Sequence, residues 1–297
     1  MAATTGSRLL ARAIKQQGAE AVFFLTGGPM VRFTMASAFE EIRMVDVRHE
    51  QAAAMMAHAW GRVRGKPGVC SAASGPGVTN LVTGIATAFA DAAPMVVLGG
   101  SSSVSQLELE AFQEMNQVDM MKPITKWSRR VHDAKRIPEY VHMAFQHARG
   151  NRPGPVYLDL PGDVLNHRLE DSEVYFPPSA PPPARPLGNP ELVTRAIQIL
   201  SKAQRPILIT GSGTLWSGAA EEVQEFVNAT GIPFYTTPQG RGIVPEDHPL
   251  CFPGARSLAF READAVLVVG TRFNVILGFG RAPRFAPDAK VIQVDID

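Results

Sequence analysis

Glu50 is the first residue whose type and place could do chemistry. It lies in Arg48-His49-Glu50-Gln51-Ala52-Ala53-Ala54, where a strand-like run ending near Arg48 gives way to a helical pattern. A carboxylate there is stabilised by the partial positive charge of the helix N-terminus. It is also held on a rigid frame at a strand end, where open α/β sheets place their sites. The plain alternative is a helix-start acid before a buried Ala-rich helix, since acids are common in first turns. Gly27-Gly28 and Ser74-Gly75-Pro76-Gly77 each follow an apolar run. Glycine lets backbone come close to a flat ligand, and Asn80, one helical turn beyond Pro76, can supply an amide. Every α/β domain also carries glycines in such turns, so the three features gain meaning only if they converge. Further along, Gly211-Ser212-Gly213 follows an apolar run and precedes a helical pattern from about Gly218 to Ala229, Arg272 follows another apolar run, and Asp295 ends the last one. The turn lacks the third glycine of a dinucleotide fingerprint. Asp295 could hold a ribose hydroxyl or be an ordinary polar strand end.

These residues need elements to position them. Residues 8–17 read as an amphipathic helix stopped by Gly18, and 22–25 as a buried strand. Strands follow at 44–48, 68–73, 94–100 and 155–161, with helices at about 50–62, 78–90 and 138–149 and a polar loop with short helices over 101–121. Strands alternating with helices argue a parallel sheet covered on both faces. Residues 171–189, which contain Pro177-Pro178-Ser179-Ala180-Pro181-Pro182-Pro183, read as an extended linker. The pattern then resumes, with strands at 206–210, 232–236, 265–270 and 290–297. The expected fold class is therefore α/β, as two open parallel-sheet domains over residues 1–170 and 190–297.

With 45% hydrophobic and 19% charged residues, the 297-residue chain has the composition of a globular protein with a sizeable core. A net charge of +1 gives no electrostatic reason to expect nucleic acid or an anionic membrane as partner. Cys70 and Cys251 follow no metal-ligand spacing, and Cys70 reads as a small core residue. No leader pattern and no membrane-length apolar run is seen, so a cytoplasmic enzyme or binding protein is the expectation.

Taken together, the motifs resemble the thiamine-diphosphate-dependent enzymes. Arg48 to Met55 with Ala57, Gly61 and Arg62, and Gly75-Pro76-Gly77-Val78-Thr79-Asn80, look like that family's pyrimidine-binding domain. Ala111-Phe112-Gln113-Glu114, Arg152-Pro153-Gly154-Pro155-Val156 and Asp159-Leu160-Pro161 are similar too, and the resemblance extends through a Rossmann-like central domain. Gly270-Thr271-Arg272-Phe273-Asn274 with Leu277, Phe279 and Gly280, and Ala255-Arg256-Ser257, look closest to 2-hydroxyacyl-CoA lyases and oxalyl-CoA decarboxylases. The segment from Ala111 to Glu114 is equally like acetolactate synthases. Phe112 stands where the decarboxylases usually have Tyr.

The resemblance implies a role for each candidate. Glu50 would bond N1′ of the aminopyrimidine and favour the tautomer that takes the C2 proton of the thiazolium. The Gly27–Gly28 loop, Pro76 and Asn80 would line the pyrimidine end. Phe112 and Gln113 would reach toward thiazolium and substrate, while His49 would have no direct role. The family holds the diphosphate through Mg²⁺ with a Gly-Asp-Gly motif of a third domain. This sequence has no such motif, so a further C-terminal domain or a separate chain is expected to supply it. ADP or FAD, or the adenosine part of a CoA-like ligand, is expected near Gly211, Arg272 and Asp295. A homodimer or homotetramer is expected, with Ala53, Ala57 and Gly61 allowing close helix packing near the interface. The implied reaction is carbon–carbon cleavage or formation on a 2-hydroxyacyl-CoA, giving formyl-CoA and an aldehyde or ketone. The alternatives are an acetolactate-synthase-like carboligase, a 2-oxoacid or oxalyl-CoA decarboxylase, and a non-enzymatic nucleotide-binding regulatory subunit.

Overall fold

The computed structural model describes residues 3–179 and 181–297. The chain divides into two compact units, 1–183 and 184–297.

In the first unit the strands are β1 (Ala3–Thr5), β2 (Ala21–Phe24), β3 (Arg43–Asp46), β4 (Gly68–Ala72), β5 (Met95–Ser101), β6 (Trp127–Arg130), β7 (Pro155–Pro161) and β8 (Arg168–Glu170). Six of them form a parallel sheet in the order β3-β2-β4-β5-β7-β6, while β1 pairs antiparallel with β8. Every residue of β2, β4, β5 and β7 is buried, as strands covered by helices on both faces must be. One large apolar cluster is built from the helices Gly6–Gln16, Val31–Phe39 and Ile137–Arg149 against the sheet, with Leu9, Ile14, Phe33, Phe145 and Val156 at its centre.

The order of the strands decides where a ligand can lie. The chain enters at β2, moves outward to β3, and returns to the far side of β2 to form β4. The turns after β2 and β4 therefore run side by side at a topological switch point, where open sheets bind ligands.

Three elements differ from the sequence expectation. Trp-Ser-Arg-Arg has no apolar alternation, yet Trp127–Arg130 forms edge strand β6, because an edge needs a partner on only one side. The helix expected over 78–90 is two helices, Pro76–Asn80 and Val82–Ala90, meeting at Leu81. The stretch expected to be linker begins with a short 3-10 turn, Asp171–Glu173, after which Val174 and Phe176 pack on the first unit's core. Arg12 lies over the Phe176 ring, and Gln16 donates to the Pro177 carbonyl.

In the second unit, β9 (Pro206–Thr210), β10 (Phe234–Thr236), β11 (Ala265–Val269) and β12 (Lys290–Val294) form a parallel sheet in the order β10-β9-β11-β12. Here too the chain steps outward, from β9 to β10, and returns to β11 on the other side. Ile207, Ile209, Val266, Val268 and Phe260 pack one face, and Leu208, Val227, Phe234 and Val244 the other. Among the described residues no helix is long and apolar enough to cross a membrane.

Candidate active site

Glu50 is the first residue of the helix Glu50–Arg64, and only 7% of it is exposed. The helix begins there because His49, in extended conformation, caps it, Nδ1 accepting from the Gln51 amide. His49 is thus occupied as a cap. The helix can lie flat on the sheet because its inner face is small. A Cβ on Gly68 would stand 1.9 Å from the Ala57 carbonyl oxygen, and one on Gly84 would stand 2.5 Å from the Ala54 Cβ. Ala53, Ala57 and Gly61 are buried in this packing within the unit itself. The small side chains expected at an interface are therefore already used by the chain's own β4 and the helix Val82–Ala90. The face left open carries Met55, Met56 and Val63.

The turn after β4 builds the other side. Gly75 has φ +57°, and a Cβ there would meet the Gln113 carbonyl oxygen at 2.4 Å, so the position requires glycine. Pro76 starts the short helix without needing an amide donor. Gly77 follows, and a Cβ on it would lie 3.4 Å from Glu50 Oε1 and 3.3 Å from the Ala73 Cβ. At the end of the same helix, Asn80 Nδ2 donates to Glu50 Oε2 at 2.9 Å. No described residue donates to Oε1.

The turn after β2 completes the rim. A Cβ on Gly27 would meet the Ala73 Cβ at 3.1 Å, and one on Gly28 would reach Ser74 Oγ at 4.0 Å. Gln113 crosses above Gly75, its Oε1 accepting from Ser74 Oγ at 3.3 Å. Glu108, Glu110 and Gln113 all have positive φ in the loop that carries it. Glu114 holds that loop by accepting from the amides of Glu108 and Ala111, bonds that keep its carboxyl below the usual range. The structure thus brings Gly27, Gly28, Glu50, Pro76, Asn80 and Gln113 to one sheet edge. Phe112 is different: it is 82% exposed and takes no part in this contact chain.

Sequence reasoning missed a buried polar group directly beneath this edge. Asp159, with no exposed surface, accepts from Arg130, Ser101, Tyr157 and Gln117. The signal was Tyr157-Leu158-Asp159, a hydroxyl and a carboxylate on one face of a strand that otherwise reads as core.

In the second unit, Gly211, Arg272 and Asp295 also meet at one sheet edge. The Gly211 amide donates to Val269, Gly213 to Gly270, and Gly270 to Val294, next to Asp295. Arg272 and Asp295 are exposed. A cationic pair that the sequence reading did not single out lies in the same unit. Arg256 and Arg284 both stack over Phe260, at 5.3 and 5.7 Å from its ring centre. Nε and Nη2 of Arg256 and Nε of Arg284 are buried with no hydrogen-bond partner among the described residues. Burial, with Arg284 adding repulsion, pulls the Arg256 guanidinium below its ordinary range.

The comparisons with known proteins agree with this architecture. Residues 4–120 match the family model for the thiamine pyrophosphate enzyme N-terminal TPP binding domain, and residues 193–297 match that for the thiamine pyrophosphate enzyme central domain. The chain belongs to the thiamine pyrophosphate enzyme family. It is 36% identical to 2-hydroxyacyl-CoA lyase 1 of Mus musculus, over 98% of this chain and 50% of that protein. It is 36% identical to a probable acetolactate synthase large subunit of Methanocaldococcus jannaschii, over 98% and 51%. It is 35% identical to oxalyl-CoA decarboxylase of Escherichia coli strain K12, over 99% and 53%. The chain spans about half the length of these curated relatives.

The family implies thiamine diphosphate, and the first sheet edge fits the flat end of that molecule. One carboxylate oxygen is fixed by Asn80, the other is open, and the missing Cβ of Gly77 leaves room beside it. Among the described residues no group of three or more His, Cys, Asp or Glu side chains could hold a metal ion, and no residue here is assigned to Mg²⁺.

Proposed function

We propose that the chain carries the pyrimidine-binding half of a thiamine-diphosphate-dependent carbon–carbon lyase acting on 2-hydroxyacyl-CoA. The bond between C1 and C2 breaks, giving formyl-CoA and an aldehyde or ketone, or forms in reverse. The observation that carries this reading is Glu50, buried at a helix start with one oxygen tied to Asn80 and the other open. When bound, thiamine diphosphate would supply the carbanion chemistry that carbon–carbon cleavage and formation need. Glu50 would share a proton with the pyrimidine ring nitrogen through Oε1, the oxygen left open. Asn80 keeps the carboxylate from turning away, and the missing Cβ of Gly77 leaves room for the ring beside it. The diphosphate and Mg²⁺ fall, on this reading, to the part of the relatives that this chain does not cover.

Three features support an acyl-CoA rather than a free 2-oxoacid. The segment from Gly270 to Gly280 resembles the CoA-dependent branch. Arg256 and Arg284 are cations without a carboxylate partner among the described residues, suited to a phosphate-bearing ligand. Phe112 offers an apolar surface, fitting an alkyl or aryl carbonyl better than a second carboxylate. The second reading, an acetolactate-synthase-like carboligase, is favoured by the Ala111–Glu114 motif and the archaeal relative.

One assay separates the two. The complete protein, with thiamine diphosphate and Mg²⁺, is given a 2-hydroxyacyl-CoA or pyruvate, and products are followed by mass spectrometry. Formyl-CoA with a carbonyl product is expected. Acetolactate from pyruvate with no formyl-CoA overturns the lyase reading, and no turnover of either substrate removes both.

A further inference from the structure

Among the described residues, Gln117 is the only hydrogen-bond partner of the amide that opens the Gly75 turn. It is 1% exposed, and its Oε1 accepts from the Gly75 N–H. Its Nε2 faces three oxygens: the Gly100 carbonyl at 3.0 Å, the Tyr157 hydroxyl at 2.9 Å and Asp159 Oδ1 at 2.7 Å. These fix which way the amide points. Rotating it by half a turn would press its carbonyl oxygen against a carboxylate and a peptide carbonyl, leaving Oε1 no freedom to abandon Gly75. Asp159 is held in turn by Arg130 Nε at 2.6 Å and Ser101 Oγ at 2.9 Å on Oδ2, and by the Tyr157 hydroxyl at 3.0 Å on Oδ1. Tyr157 reaches that position because β5 has glycine two residues along from its register partner Val97: a Cβ on Gly99 would lie 2.3 Å from its hydroxyl oxygen.

A buried network of polar and charged side chains is a poor means of gaining stability, since well-packed apolar side chains often do as well or better. What this one supplies is direction. It ends on Gly75, the first residue of the turn whose Gly77 backs Glu50 Oε1 and whose helix carries Asn80 to Glu50 Oε2.

We propose that Gln117, oriented by Asp159, Tyr157 and Arg130, is a positioning residue that sets the Glu50 carboxylate through the Gly75–Asn80 turn. The proposal rests on the reading of Glu50 given above. It makes edge strand β6 part of the site's support, through Arg130.

The test compares Gln117→Leu and Gln117→Glu in the full chain by three measurements. These are hydrogen exchange at the Gly75 amide, the Asn80 side-chain NH₂ resonances, and kcat and KM for thiamine diphosphate. Gln117→Leu is expected to speed Gly75 exchange at least about tenfold, to shift the Asn80 resonances, and to raise KM for thiamine diphosphate more than it lowers kcat. Gln117→Glu keeps an acceptor for Gly75 but sets a second carboxyl against Asp159 and Tyr157 on β7, with Arg130 on β6 beside them. One proton shared between the two carboxyls restores the arrangement. Its KM should therefore approach wild type at acidic pH and worsen as pH rises, a profile that the wild type and Gln117→Leu lack. Unchanged Asn80 resonances with faster Gly75 exchange, or the same pH profile in both variants, overturns the proposal. If Gln117→Leu does not fold, the pH profile of Gln117→Glu decides alone. Failure of the functional reading is distinguishable: wild type then shows no thiamine-dependent turnover, while the Gly75 and Asn80 signals still report the coupling.

Discussion

The two units present the same sequence signal at the same topological place and use it differently. In each, the chain reverses direction across the sheet, and glycine turns meet at the switch point. At the first edge the space left by a missing side chain faces a functional group: a Cβ on Gly77 would lie 3.4 Å from Glu50 Oε1. At the second edge the space is filled by backbone. A Cβ on Gly211 would lie 2.5 Å from the Gly270 carbonyl oxygen, and one on Gly213 would lie 2.6 Å from Gly270 Cα. The amides of Gly211, Gly213 and Thr214 are spent on neighbouring carbonyls. A glycine turn is therefore a permission for close approach, and the partner it admits is decided by the rest of the fold. At Gly77 in the first unit that partner is a carboxylate; at Gly211 and Gly213 in the second it is another turn.

The largest test of this contrast is Glu50→Gln. Turnover of the complete enzyme is expected to fall about a hundredfold to ten-thousandfold with an unchanged melting temperature, because glutamine cannot share the proton. Glu50→Asp should also lose activity, since the carboxylate retreats by one methylene. The readouts are steady-state turnover and C2 proton exchange of bound cofactor by NMR. Survival of both within a few-fold would reduce Glu50 to a helix-start residue and erase the difference between the edges.

Next in size is ligand binding at the second edge. Near Gly211, Arg272 and Asp295, ADP or CoA at a hundred times its dissociation constant should stabilise the native state by about 2.7 kcal/mol. Calorimetry with ADP, CoA and FAD in turn checks this, and Asp295→Ala should weaken the effect. No stabilisation by any of the three at millimolar concentration would leave the second edge as backbone packing alone.

The glycines themselves give a smaller, paired effect. Gly213→Ala is expected to cost about 1–3 kcal/mol of stability, because backbone must move to admit the methyl group. Gly77→Ala meets only contacts of 3.3 Å or more, so it should cost little stability and instead raise KM for thiamine diphosphate several-fold. Urea melts beside cofactor titrations distinguish the two, and equal stability losses would contradict the contrast.

The smallest difference concerns one cysteine in each unit. Burial pushes the Cys70 thiol up to about 12; Cys251, which is partly exposed, is also raised, by burial and then by Glu246. Iodoacetamide at about pH 8 should label Cys251 first, with Cys70 protected until the first unit unfolds, as read by peptide mass spectrometry. The pH dependence has a definite sign. The folded pKa of Cys70 lies above the ordinary 9.0, so its contribution to stability is complete below that value. It is lost as pH rises toward 12, because the unfolded chain ionises first.

Much of this was legible in the sequence. Periods of two and 3.6 residues, with glycine and proline as punctuation, marked β2, β4, β5, β7 and the four strands of the second sheet within a few residues. The strand-to-helix junction at Glu50 was equally local. Other features left no local trace. Strand β6 carries no apolar alternation, because an edge strand is not covered on both faces. The break at Leu81 lies inside a continuous helical pattern.

What the sequence by itself determined is the list of elements and the type of residue at each of their ends, because backbone propensity and side-chain periodicity act over a few residues. What only the tertiary structure decided is which ends meet. Asn80 reaches Glu50 across thirty residues of chain because β4 returns to the inner side of β2. Asp159, one more polar letter in an apolar run, becomes a fully buried carboxylate with four donors because β5, β6 and the helix Gln117–Met121 close over it. Strand order and burial arise from pairing and packing between distant segments, and no short window of sequence contains both partners.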